Sequence, residues 1–179
     1  MNVRKSAKPF YILIFVLSFT TLASGFNLSP SVQVNDENQV HLGQFDMMTA
    51  ESGWVLLDQR LFWTSNAGRS WDEISPSIPS DTLVQDVEFI DVNTGWMLFT
   101  TAVSSDDGAL FQLAQTTDGG DTWATRALSL FASGEIASFL ERAEMGWFDA
   151  QTGWVSVKQA SGSNFSIGML FTTSDGGVT

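Results

Sequence analysis

Asp118-Gly119-Gly120-Asp121 sets two carboxylates around a pair of glycines, the residue types that gather oxygen ligands around a hard cation. A calcium loop of the EF-hand kind needs several more oxygens and a bidentate Glu, and none follows at the required offset. Asn66-Ala67-Gly68-Arg69 stands at the matching place upstream and puts a cation where a ligand would have to be. No metal site is expected. An inverting glycosidase needs two facing carboxylates about 6.5–9.5 Å apart. With 20 acidic residues such a pair is always available on paper, so the count selects none. His41, the only histidine, opens a strand with no Ser or Asp arranged around it and reads as a solvated or edge residue. Cysteine is absent, which excludes disulfides, thiolate metal sites and thiol nucleophiles. No cofactor is implied.

The same residues make better sense as turns. Thr116-Thr117-Asp118-Gly119-Gly120-Asp121-Thr122-Trp123 has a counterpart in Thr64-Ser65-Asn66-Ala67-Gly68-Arg69-Ser70-Trp71 and a third in Thr173-Ser174-Asp175-Gly176-Gly177-Val178-Thr179. The periods are 52 and then 57 residues, which points to a repeat architecture. Asn66, Asp118 and Asp175 each offer a short acceptor for backbone N–H groups two residues on, closing an Asx-type turn. Gly68, Gly120 and Gly177 sit where a positive φ is expected. Ser70, Thr122 and Thr179 offer a hydroxyl to the turn backbone, and Trp71 and Trp123 then fold into the blade as large apolar groups.

A second signature precedes each turn. Met48-Thr49-Ala50-Glu51-Ser52-Gly53-Trp54, Ile90-Asp91-Val92-Asn93-Thr94-Gly95-Trp96 and Phe148-Asp149-Ala150-Gln151-Thr152-Gly153-Trp154 align without gaps, each reading strand, tight turn, strand. In the second repeat, strands are expected over 84–90, 95–101, 109–116 and 122–128. Four short antiparallel strands in about 45 residues make one blade of a β-propeller. Glu135 to Glu144 fits either a helical turn or a link leading into a strand. The expected fold is all-β: about three four-stranded blades near 40–76, 82–130 and 138–179, the third lacking its last strand. Three blades fall short of the usual four to eight in a closed ring, so the chain is expected to be a fragment.

These motifs resemble Asp-box, or BNR, repeats, with pattern Ser/Thr-x-Asp-x-Gly-x-Thr/Ser-Trp, over about Val40 to Thr179. Such repeats occur in sialidases, sortilin-type receptors, xyloglucanase-type glycoside hydrolases and photosystem II assembly-factor-like proteins. The Gly-Trp block most resembles the last group, a set of secreted or lumenal propellers. The resemblance implies that the boxes join third to fourth strands, away from the functional surface. It also implies two functional classes: a non-catalytic binding or assembly scaffold, or the N-terminal part of an Asp-box glycoside hydrolase. A sialidase would use an arginine cluster and a Tyr nucleophile, whereas the only Tyr is Tyr11.

Arg4, Lys5 and Lys8 flank the apolar run 10–19, and Thr20 to Gly25 adds small residues, the layout of a signal peptide over 1–25. Residues 26–39 form a polar lead-in. The expectation is export to the periplasm or the cell exterior, with membrane contact only through an uncleaved anchor. Removing the signal leaves five basic residues against 20 acidic ones, a net charge of −15. Such a surface repels phosphate backbones, which excludes nucleic acid. The expected partner is a protein or a polysaccharide.

Function in a propeller belongs to loops that differ between repeats. The connections carrying Asp58, Arg60, Asp81, Asp106, Asp107 and Asn164 are expected on the face opposite the Gly-rich turns. Trp63 and Trp147 depart from the repeat and are the aromatic ligand candidates, although their apolar neighbours favour a core position for both.

Overall fold

The computed structural model describes residues 40–101, 110–131, 140–160 and 166–178. Eleven strands lie within them and form three antiparallel sheets. The first holds β1 (Leu42–Met47), β2 (Gly53–Leu57), β3 (Arg60–Thr64) and β4 (Asp72–Glu73) in chain order. The second holds β5 (Thr82–Phe89), β6 (Gly95–Thr101), β7 (Leu110–Thr116) and β8 (Ala124–Leu128), and the third β9 (Leu140–Trp147), β10 (Gly153–Ala160) and β11 (Ser166–Thr173). The architecture is all-β, three successive blades of a β-propeller. The signal peptide and lead-in expected at 1–39, and Asp106, Asp107, Asn164 and Thr179, lie outside the described residues.

Boundaries moved where side chains were needed for something else. β5 starts at Thr82, earlier than the expected 84, because a bulge between Val84 and Asp86 lets the pairing continue to Thr101. β8 starts at Ala124 because Thr122 is held back by the turn before it. Leu140–Trp147 is a strand, so the segment ending at Glu144 leads into β9.

The core sits between blades. Trp54, Leu56 and Leu61 of blade 1 pack with Val87, Phe89, Met97 and Phe99 of blade 2. Trp96, Leu98, Phe111 and Leu113 of blade 2 pack with Met145, Trp147, Val155 and Val157 of blade 3. Alternation along each strand sends one set of side chains to the preceding blade, the leading face, and the other to the following blade, the trailing face. At about 1.5–3 kcal/mol for each large apolar side chain removed from water, these two joints supply the main cohesion of the fold.

The Gly-Trp pairs show why a glycine is required. Gly95 and Gly153 pair with the last residues of the inner strands, Phe89 and Trp147. A Cβ at Gly95 would lie 2.5 Å from the Phe89 ring, and one at Gly153 2.6 Å from that of Trp147. The missing side chain is the space in which the inner-strand ring turns toward the preceding blade.

Candidate functional site at the inner strands

Of the loop residues expected to face a ligand, Asp58 and Arg60 are committed locally. Asp58 and Gln59 form the two-residue β2–β3 turn with φ of 47° and 66°. Such turns favour Asn-Gly, and here side-chain bonds hold the unfavourable geometry. The Asp58 Oδ1 accepts from His41 N at 2.7 Å, and the Gln59 Oε1 accepts from Val84 N of blade 2 at 2.6 Å. The Arg60 Nε donates to Glu73 at 2.8 Å, a second bond joins its terminal nitrogen to the other carboxylate oxygen, and the guanidinium lies 5.2 Å from the Phe62 centroid. The Arg60 hydrogen bond holds Glu73 below the usual carboxylate range. Asp81 is exposed in the turn before β5.

The repeated turns are built on a residue two positions earlier than expected. Buried Thr116 accepts from Gly120 N at 2.9 Å and donates to Asp118 Oδ1 at 2.8 Å. Asp118 in turn accepts from Thr122 N, four residues on rather than two, and from the Thr122 hydroxyl. Those bonds, the hydroxyl's first, lower its pKa. Thr64 with Asn66, Gly68 and Ser70 repeats the pattern, and so does Thr173 with Asp175 and Gly177. Gly68, Gly120 and Gly177 have φ of 78°, 92° and 79°. The N–H groups of Ala67, Gly119 and Gly176 bond Glu51, Asn93 and Gln151 in the β1–β2, β5–β6 and β9–β10 turns. Asp91 and Asp149 cap the latter two through Oδ1, and those backbone N–H bonds lower the pKa of each.

The tryptophans reach further than their own blade. Trp123 lies edge-on to Phe89 and donates Nε1–H to Ile74 O of blade 1 at 2.8 Å. Trp147 lies stacked on Trp96, and Trp63 is tilted against Phe89 at 5.3 Å. Both aromatic ligand candidates are therefore joint residues. Trp147 stands where Phe89 and Met47 stand in the other blades and does not break the repeat.

The most distinctive polar group is one that reading by motif misses. Asp86 follows the β5 bulge, where it meets both neighbouring blades. Its Oδ1 accepts from Gln44 Nε2 of blade 1 at 2.8 Å and its Oδ2 from Met145 N of blade 3 at 2.7 Å. Val87 N adds a bond at 3.0 Å. Burial raises its pKa against those three donors, helped by the nearby Glu144 charge. Glu88, two residues on, is raised by burial and then by Asp86, while the Trp147 N–H bond opposes the shift. Its Oε2 is buried with no partner among the described residues. The visible signal is a pair of acids at alternate positions inside an apolar strand.

Around these carboxylates the cations are already engaged. Arg142 bonds Glu144 at 2.5 Å and Lys158 bonds Glu141 at 2.7 Å, all four groups at least two-fifths exposed. Arg126 donates to Gly176 O and Gln115. A shallow concavity of about 600 Å³ opens beside the first two pairs, lined also by Ser156, Gly168 and Leu170. Among the described residues no three His, Asp or Glu side chains gather as metal ligands, and no helix is long and apolar enough to cross a membrane.

No protein-family model matches the chain, and no curated protein is similar to it. A solved structure, "YCF48 bound to D1 peptide", is similar with a TM-score of 0.51 and 18% identity. The likeness covers 78% of this chain and 38% of that one, so the chain spans well under half of the structure it matches. It supports the propeller fold.

Proposed function

We propose that the chain is a non-catalytic propeller scaffold, exported to the cell envelope, which binds an extended protein segment of basic character. The observation that carries this reading is how the ionisable groups are used. Asp86 and Glu88 take backbone N–H groups across blades, Asp118 holds a turn, and Arg60, Arg142 and Lys158 are spent on glutamates. Each serves cohesion, and the concavity beside Arg142 and Lys158 is lined by ion pairs already made, with no reacting group aimed into it. Exposed carboxylates such as Asp46, Asp58 and Asp81 add their charge to the surface field, which attracts cationic partners. The similar solved propeller is described as bound to a peptide, which accords with this class of partner.

The test is an interferometry panel of extended peptides matched in length, basic, neutral and acidic, each at low and high salt. Binding of the basic member that weakens with salt is expected. Equal binding of the acidic member, or sugar released from a parallel set of β-glucans and sialosides, would overturn the reading.

A further inference from the structure

The outer strands of blades 1 and 2 treat their free edges differently. β4 is two residues long, both acidic, and Pro76 and Pro79 follow it. Shortness, charge and proline are the usual guards of a sheet edge. β8, the outer edge of the second sheet, runs over Ala124–Leu128 without a proline. Its one charged side chain, Arg126, is turned inward and bonds Gly176 O of blade 3 and Gln115 of β7. At the opposite edge of the same sheet, Asp86 of β5 meets Gln44 of blade 1 and Met145 of blade 3. The β8 edge therefore looks away from both joints, and a further blade beside blade 1 or blade 3 would not cover it.

The ladder fixes which main-chain groups that edge presents. Ile90 N donates to Thr94 O at 3.0 Å, which makes theirs a hydrogen-bonded pair. Bonded and non-bonded pairs alternate, and carrying that alternation across β6 and β7 assigns Ala124, Arg126 and Leu128 to bonds with β7. The N–H and C=O of Thr125 and Ala127 point outward, and no described residue bonds them. Both side chains are small and exposed, which leaves room for a neighbouring strand.

Charge selects the occupant. Trp123, just before β8, donates to Ile74 O of blade 1 at 2.8 Å. Asp121 and Asp72 each stand two residues before one partner of that bond, both exposed and neither in an ion pair among the described residues. Two carboxylates are thus held near the start of an unguarded edge.

We propose that an extended basic segment of another protein docks on β8 as a fifth strand of blade 2, its main chain bonding Thr125 and Ala127 and a Lys or Arg reaching Asp72 and Asp121. Main-chain pairing holds any extended sequence, and the carboxylates favour a basic one. The site deepens the peptide-binding reading, on which it rests.

The probe is a peptide of alternating Lys and Val, measured by interferometry against the full chain beside a copy N-methylated throughout. That copy keeps the charge and has no main-chain N–H to donate. N-methylation and Ala127→Pro should each weaken binding at least tenfold. Proline suits an edge position whose N–H faces outward, and near-ultraviolet circular dichroism reports that the variant stays folded. Thr125→Val alters no main-chain group and should stay within twofold. In the parent, hydrogen exchange at Thr125 and Ala127 should slow when the peptide binds, a readout that needs no variant. Binding that survives N-methylation and leaves exchange in β8 unchanged overturns this site while the reading of a basic partner stands. Failure of the unmethylated peptide to bind removes both. A parent dimer in light scattering that Ala127→Pro dissolves would give the edge to a second copy and overturn the proposal as well.

Discussion

The indole of Trp96 lies flat on that of Trp147, ring centroids 4.3 Å apart and planes 4° apart, across the joint between blades 2 and 3. Both rings are buried, and neither Nε1–H finds an acceptor among the described residues. The stack therefore works as apolar area with two unpaired donors inside it. Trp96→Ala should cost about 3–5 kcal/mol, the usual loss for a large buried aromatic. Trp96→Phe keeps a stacking face and removes one unpaired donor, which is worth about 1–3 kcal/mol when buried. It should lose far less than the alanine variant in urea unfolding. Equal losses would mean that the indole N–H has a partner, or that the stack contributes nothing beyond volume.

Gly95 leaves no room for a side chain beneath the Phe89 ring, since a Cβ there would lie only 2.5 Å from it. Gly95→Ala should destabilise by about 1–3 kcal/mol, as overpacking does, and Phe89→Leu in the same chain should recover part of that loss. Additive losses in the double variant would show that the clash is not the cause.

The blades were legible because two motifs recur in fixed order, and because turns and a glycine at a close approach depend on residue type rather than on distant contacts. The joints were harder to read. Met47, Phe89 and Trp147 share one role, yet the site accepts any large apolar group, so identity does not repeat and Trp147 looks like a break. Gln44, Asp86 and Glu144 are hidden for a different reason. The bulge at Val84 and Asp86 shifts the alternation by one, and only the partner blade shows which way the side chain points. Thr64, Thr116 and Thr173 repeat openly, but the motif does not show that their hydroxyl, rather than the side chain two residues on, takes the glycine N–H.

That hub gives a third prediction. Thr116 is 1% exposed and its hydroxyl serves both Gly120 N–H and Asp118. Thr116→Val keeps the shape and strands the buried Gly120 donor, which should cost about 1–3 kcal/mol. Thr116→Ser should keep most of the stability despite losing a methyl. A valine variant as stable as the parent would transfer the organising role to Asp118.

Burial raises the pKa of Glu88 in the folded chain, so the folded state holds that proton more tightly than the unfolded state does. Its contribution to stability is full below the ordinary carboxylate value and is lost as pH rises through the raised one. Asp118, Asp91 and Asp149 are shifted the opposite way, and their contributions are lost as pH falls through their lowered values. The two sets thus act in different windows, Glu88 and Asp86 above the ordinary value and the turn aspartates below it. Glu88→Gln removes one titration from the upper window and leaves the lower one untouched. In denaturation series from about pH 3 to pH 7, the variant should lose less stability than the parent above about pH 4.5 and follow it below. The slope is the decisive quantity, since the new amide also changes the level through its own unpaired N–H. Parallel curves above that pH would place the Glu88 carboxylate in solvent and remove it from the joint.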